Sequence, residues 1–144
     1  VLEVVLIDLN STATITLTTT APVAGGMDPT GDTDNSKLLQ YTSLVGAGTT
    51  RNITANWEAT DQAPAGTSLL LEATSVPAGC GTAGAQITLS DTAQSIITNI
   101  GSCRTGTGAN GAELLYTFNI DTVSSLVVGD NQTVTVTFTL TDAS

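Results

Sequence analysis

Histidine is absent from this chain of 144 residues, and only three basic residues stand against 13 acidic ones, for a formal net charge of −10. Without histidine, a serine or cysteine nucleophile would lack its usual imidazole base. The carboxylates Glu58 and Asp61 are typical of a charged strand end rather than of a glycosidase pair. The scarcity of positive charge leaves no basic patch for nucleic acid or an anionic membrane surface. We therefore expect a protein that is not an enzyme, needs no cofactor for catalysis and does not bind nucleic acid.

Long apolar runs are also missing, since none reaches the roughly 18 residues that a transmembrane helix needs. We therefore expect no membrane insertion of the mature chain. The sequence starts at Val1 without a methionine or a basic leader, as expected for a mature protein after removal of a signal peptide. The predicted location is secreted, either extracellular or at the cell surface.

Cysteine occurs only twice, at Cys80 and Cys103, each in a glycine-rich turn. Neither has a second cysteine or a histidine nearby to complete a zinc site. A disulfide between the two is predicted, and closing a loop of this length would stabilise the fold by about 3 kcal/mol. The alternative is a pair of reduced thiols in a cytosolic protein.

Aromatic residues make up only 3% of the chain, so the core must be built mostly from Val, Ile, Leu and Ala. Apolar residues alternate with threonines in residues 13–18 and 132–140, which is typical of strands with one buried and one solvated face. Further strands are predicted at residues 37–45, 50–59, 67–75, 85–89, 95–100 and 113–121, separated by glycine- and proline-rich turns. This pattern predicts an all-β fold, a two-sheet β-sandwich of the immunoglobulin-like or jelly-roll kind with an extended N-terminal strand.

Residues 1–9, which we call the opening segment, break this alternation because both faces of a strand formed by them would be apolar. One face would carry Val1, Val5, Ile7 and Leu9, and the other Leu2, Val4 and Leu6. A sandwich strand normally has one face on the core and one in water, so this strand needs a second covering surface. Leaving the second face exposed would forgo roughly 1.5 to 3 kcal/mol for each large side chain.

The apolar parity of the opening segment continues through residue 17, so residues 1–18 predict one extended run of roughly 60 Å. A compact domain of this length is only roughly 35 to 40 Å across. We therefore expect residues 1–11 to form a donor-type strand that projects from a single β-sandwich domain of residues 12–144 and pairs with a neighbouring copy. The alternative is that the opening segment folds back at Asn10 into an ordinary buried strand of its own sandwich.

An acidic loop raises the question of calcium. Asp28, Asp32, Asp34 and Asn35 lie close together in the sequence, and hard oxygen ligands in a glycine-containing loop suit Ca²⁺. The spacing does not match an EF-hand, and a solvated acidic turn with local hydrogen bonds is the alternative. Calcium is thus the one cofactor that the sequence leaves open.

Three sequons for N-glycosylation begin at Asn10, Asn52 and Asn131. A chain rich in threonine and asparagine produces several such sequons by chance. The sequence alone does not choose between a modified and an unmodified asparagine at these positions.

Three stretches carry a resemblance to known proteins: WEATDQAPAGTSLLLEATSVPAGCGTAG, ITLSDTAQSIITNIGSC and LVVGDNQTVTVTFTL. In the style of their turns and strands they resemble secreted prokaryotic surface proteins with immunoglobulin-like β-sandwiches. The apolar opening segment is similar to that of extracellular, pilus-like filament subunits, which polymerise by donor-strand complementation. The resemblance implies that the opening segment of one copy fills a groove of the next, and it implies no catalytic residue.

Taken together, these observations predict a structural subunit of an extracellular prokaryotic filament, a homopolymer assembled head to tail by addition of the N-terminal strand. The alternative is a surface-layer or adhesin-type sandwich module that binds glycan or protein. A carbohydrate module normally presents an aromatic platform, and Trp57 is the one tryptophan in the chain. Its place in a predicted strand favours a core position instead.

Overall fold

The computed structural model describes residues 1–143 of the chain. Within that range the regular structure consists of β-strands and one short 3₁₀ turn at Val123–Ser125. The strands form two antiparallel sheets that pack against each other around a shared core. The predicted all-β sandwich is confirmed.

The first sheet has seven strands. They are β1 (Val4–Leu9), β2 (Asp32–Asp34), β3 (Leu38–Leu44), β5 (Thr67–Ser75), β7 (Ile87–Thr88), β9 (Cys103–Arg104) and β10 (Ala112–Ile120). Their order is β1-β3-β10-β5-β7, with β2 paired to β10 and β9 paired to β3. Strand β1 therefore forms one edge of this sheet.

The second sheet has four strands. They are β4 (Arg51–Trp57), β6 (Thr82–Ala83), β8 (Gln94–Ile100) and β11 (Val136–Asp142), in the order β11-β4-β8-β6. Strand β11 pairs with β4 along its whole length, from Val136 opposite Trp57 to Asp142 opposite Arg51. Because its other side has no strand partner within residues 1–143, β11 forms an edge of this sheet.

The core follows directly from the alternation of side chains along the strands. In β3, Leu39 and Tyr41 are buried while their neighbours are half-buried, and β4 buries Ile53 and Ala55 in the same way. The most deeply buried apolar side chains are aliphatic: Leu39, Ile53, Leu71, Leu89, Ile96, Ile97, Ile100 and Leu114. A core of this composition is what the low aromatic content predicts.

The predicted disulfide between Cys80 and Cys103 is confirmed. It links the turn that follows β5 to strand β9, which pairs with β3. The Tyr41 hydroxyl donates a 2.7 Å hydrogen bond to the Cys80 carbonyl oxygen, so the half of the bridge inside the core is also tied to β3. Burial raises the pKa of Tyr41 to about 12.

Two of the predicted strands are not formed as predicted. Residues 13–18 lie outside any strand, and the strand predicted at residues 132–140 begins only at Val136. Both segments keep the alternation of half-buried and exposed side chains, with Ile15, Leu17 and Val134 half-buried. They therefore have the side-chain pattern of strands but lack a ladder partner.

Candidate subunit-contact site

Strand β1 is paired within its own chain. Val4–Leu9 runs antiparallel to β3, from Val4 opposite Leu44 to Leu9 opposite Leu39. The chain bends at Asn10, whose side-chain oxygen accepts a 2.9 Å hydrogen bond from the backbone N–H of Leu38. The expected overhang of the opening segment is therefore not seen in the single chain, because Val4–Leu9 pairs with β3 of the same chain. Its contact with a second copy stays a prediction.

The two faces of the opening segment differ in their surroundings. Ile7 and Leu9 pack against the core, whereas Leu2 is 85% exposed and Leu6 is 63% exposed. Val1 and Val5 are also among the exposed large apolar residues of the chain. The parent sandwich thus partly covers Ile7 and Leu9 on one face, but leaves Val1 and Val5 of that face and Leu2 and Leu6 of the other exposed.

The sandwich is open between its two sheets beside β1. A groove of about 760 Å³ lies between residues 11–19, which we call the first wall, and residues 129–136, which we call the second wall. The first wall continues from β1, and the second wall leads into β11. The side chains that line the groove from other parts of the fold are Leu9, Lys37, Trp57, Gln62, Ala63, Pro64, Thr67, Leu69, Tyr116, Phe118, Leu126 and Phe138.

Apolar side chains along the groove are only partly covered. Trp57, Leu69 and Phe138 pack against the core but remain half-buried, as do Ile15 and Leu17 of the first wall. A closed sandwich would bury such side chains between its sheets. The groove is therefore a place where the hydrophobic core reaches the surface.

In the middle of each wall the backbone groups have no hydrogen-bond partner among residues 1–143. No hydrogen bond joins the backbone of residues 14–17, or that of residues 131–134, to another group in the described part of the chain. Neighbouring positions are held by single contacts, such as the 2.9 Å bond from the Thr135 N–H to the Asp61 carboxylate. Extended segments with free N–H and C=O groups are templates for an added strand.

The first wall is held in place by Lys37, which is 7% exposed. Its ammonium group donates hydrogen bonds to the carbonyl oxygens of Ser11 at 2.9 Å and Ala13 at 2.7 Å. At the far end of the wall, the Thr18 N–H donates to the Asp32 carboxylate at 3.3 Å, and Thr20 forms an isolated bridge with Thr30. The wall is thus fixed at both ends and unpaired between them.

Arg51 joins β1 to the rest of the molecule. It lies at an inward position of β4 and is 1% exposed. Its guanidinium forms ion pairs with Glu3 at 2.6 Å and Asp142 at 3.2 Å. It also donates to the Val4 carbonyl oxygen at 2.8 Å and to the Ser43 hydroxyl at 2.9 Å. Among residues 1–143 no buried side-chain nitrogen or oxygen lacks a hydrogen-bond partner. The buried Arg51 guanidinium meets this condition through its bonds to Glu3, Val4, Ser43, Leu44 and Asp142.

Sequence reasoning missed Arg51 and Lys37 as site residues. A readable signal existed for Arg51, because it shares its parity in the strand with Ile53 and Ala55 and is therefore predicted to point inward. No comparable signal marks Lys37, since its role depends on where the chain turns after β1.

The acidic loop does not gather its oxygen ligands. The Asp32 carboxylate accepts from the backbone N–H groups of Thr18 and Thr33, and the Asp34 carboxylate accepts from Ser36. Asp28 and Asn35 are exposed and take part in no such contact. No group of three or more His, Cys, Asp or Glu side chains that could hold a metal ion occurs within residues 1–143. The contacts of Asp32 with Thr33 and of Asp34 with Ser36 are local turn hydrogen bonds, and calcium binding by this loop stays a prediction.

The three sequons lie in different surroundings. The Asn10 side chain is engaged at the bend, donating to the Ser36 carbonyl oxygen as well as accepting from Leu38. Asn52 lies inside β4, opposite Thr141 of β11. Asn131 is exposed and lies in the second wall. The Asp61 carboxylate supports the second wall through the Thr135 N–H, and the backbone carbonyl oxygen of Glu58 accepts the turn hydrogen bond from the Asp61 N–H.

No family model, curated protein or solved structure matches this chain. No helix among the described residues is long and apolar enough to cross a membrane. The disulfide is compatible with a protein exported to an oxidising compartment.

Proposed function

We propose that the chain is a structural, non-enzymatic subunit of an extracellular filament, in which the opening segment of one copy enters the groove of the next. The observation that carries the proposal is the groove itself. It combines a partly uncovered core with two unpaired walls, and an inserted strand would supply what both features lack.

The opening segment fits this groove in length. At about 3.3 Å per residue, residues 1–9 and the first wall, residues 11–19, each extend over about 30 Å. One inserted strand therefore spans the whole wall. Its N–H and C=O groups would meet those of residues 14–17 and 131–134, and each hydrogen bond of this kind contributes about 0.5 to 1.5 kcal/mol.

The opening segment also fits in chemistry. A strand whose backbone pairs with both walls turns one face toward the core and the other outward, where the donor subunit would cover it. Apart from Glu3 and Asp8, every residue of the segment is Val, Leu or Ile, so both faces gain from being covered. Leu2 and Leu6, which are mostly exposed in the single chain, gain most.

Assembly requires β1 to leave its own sheet. Opening the bend at Asn10 and Ser11 releases the opening segment while the first wall stays attached through Lys37. Straightened, residues 1–18 extend over roughly 60 Å and project beyond a domain of roughly 35 to 40 Å. Because donor and groove are different surfaces, the contact is head to tail and generates an open filament rather than a closed dimer.

An experiment on insertion starts by deleting residues 1–9. We expect the full-length protein to form filaments visible by negative-stain microscopy and the truncated protein to remain monomeric in size exclusion. A synthetic peptide of residues 1–9 should bind the truncated protein, whereas a peptide with Leu2 and Leu6 replaced by aspartate should not. The same fibres formed by the truncated protein would eliminate insertion of this segment. A full-length protein that stays monomeric at high concentration would favour the surface-layer or adhesin module.

A further inference from the structure

We infer that the ion pair between Arg51 and Glu3 is a latch that holds β1 in its own subunit. We further infer that Asp142 stabilises the open state, in which β1 has separated from β3, by remaining as the counter-ion of Arg51. The inference deepens the proposed function, because strand insertion rests on the release of β1. It concerns an equilibrium within the single chain, however, and can be measured there.

The latch acts where the ladder of β1 ends. Residues 1–3 have no strand partner, and the pairing with β3 begins at Val4. At this boundary the Arg51 guanidinium binds the Glu3 carboxylate at 2.6 Å and the Val4 carbonyl oxygen at 2.8 Å. Separation of β1 from β3 at this end must break both contacts. The guanidinium therefore opposes the opening of the strand at the end that carries the exposed Leu2.

With β1 in place Arg51 is only 1% exposed, and a buried guanidinium without a counter-charge is strongly unfavourable. When β1 leaves, Arg51 loses Glu3 and Val4 but keeps Ser43, the Leu44 carbonyl oxygen and Asp142. The Asp142 carboxylate belongs to β11, so it does not move with the opening segment. It remains as the counter-ion of the open form.

Removing the Glu3 carboxylate and removing the Asp142 carboxylate should therefore shift the opening equilibrium of β1 in opposite directions. Glu3 contributes only to the closed state, so its loss favours opening. Asp142 contributes to both states but matters more in the open one, where it is the remaining negative charge next to Arg51. If the two substitutions acted only by removing surface charge, both would change the opening of β1 in the same direction. The opposite signs thus distinguish a latch from ordinary electrostatic stabilisation.

Hydrogen exchange of the monomer measures the opening directly. In Glu3→Gln we expect the amides of β1 and β3 to exchange about two- to five-fold faster, a size limited by the 66% exposure of the Glu3 side chain. In Asp142→Asn the same amides should exchange more slowly relative to those of β10, which report global unfolding. This effect should be the smaller of the two, because the Asp142 side chain is 82% exposed. Asp8→Asn is the matched control, because Asp8 lies on the same strand and no cation contacts it within residues 1–143.

The outcomes separate this inference from the filament proposal. Equal exchange in Glu3→Gln and Asp8→Asn, or faster exchange of the β1 amides in Asp142→Asn, overturns the latch even where filaments form. Faster exchange in Glu3→Gln and slower exchange in Asp142→Asn establish the latch even where no variant assembles. In that second case only the filament proposal fails. Where both hold, Glu3→Gln also assembles faster than the unsubstituted protein and Asp142→Asn more slowly.

Discussion

Leu6 gives a test of strand insertion that leaves the monomer almost unchanged. Its side chain is 63% exposed in the single chain, on the face of β1 that points away from the core. Full burial of a leucine contributes about 1.5 to 3 kcal/mol, so covering the exposed part on insertion would contribute about 1 to 2 kcal/mol. Leu6→Thr removes most of this gain while keeping a residue that suits a strand.

The expected result is a rise in the critical concentration for assembly of roughly 5- to 30-fold, since each 1.4 kcal/mol corresponds to a factor of ten. Sedimentation of filaments at a series of protein concentrations measures it. The free energy of unfolding of the monomer, from chemical denaturation, should change by less than about 0.5 kcal/mol, as for other exposed substitutions.

Val128→Thr is the matched control, because Val128 is fully exposed and does not line the groove. It removes a surface apolar side chain without touching the proposed contact, so both its assembly and its stability should be unchanged. If Leu6→Thr assembles at the same concentration as the unsubstituted protein, Leu6 is not covered in the polymer and the proposed insertion is wrong.

Three further predictions concern the stability of the sandwich. Replacing Cys80 and Cys103 together by alanine should lower the free energy of unfolding by about 3 kcal/mol, because the bridge closes a loop with a sequence separation of 23. Chemical denaturation of this variant and of the oxidised protein measures the difference, and equal stability would refute the prediction. Between pH 10 and pH 12 the Tyr41 phenol stays protonated in the folded protein, where its pKa is about 12, but ionises in the unfolded chain, where its pKa is the ordinary 10.0. The folded protein therefore loses stability over this range, and Tyr41→Phe should make that loss smaller. An unchanged dependence of stability on pH, followed by circular dichroism, would contradict this prediction. Gly81→Ala should lower the stability more than Gly79→Ala. Both glycines have positive φ, but only the Gly81 substitution places a Cβ 2.7 Å from a carbonyl oxygen of β8. Similar melting temperatures of the two variants would contradict this.

The sequence determined the fold class and the disulfide. Runs of β-branched and apolar residues between glycine- and proline-rich turns are a local signal, and they correctly located β3, β4, β5, β8 and β10 to within a few residues. Alternation with threonine was less reliable, because residues 13–18 form no strand and residues 132–135 precede β11. The chain has two cysteines, so an intramolecular disulfide can join only Cys80 to Cys103. Once a bridge was predicted, its connectivity therefore followed without a structure. Both inferences depend on residue types and on neighbours along the chain.

Only the tertiary structure decided where the opening segment lies and what surrounds it. An apolar strand can pair with its own β3 or with another copy, and its side-chain pattern is the same in both cases because the pattern records burial and not the identity of the partner. The same holds for Arg51, whose ligands Glu3 and Asp142 lie 48 and 91 positions away. The groove arises between residues 11–19 and 129–136, near opposite ends of the sequence, and exists because the two sheets that those segments border do not close on each other.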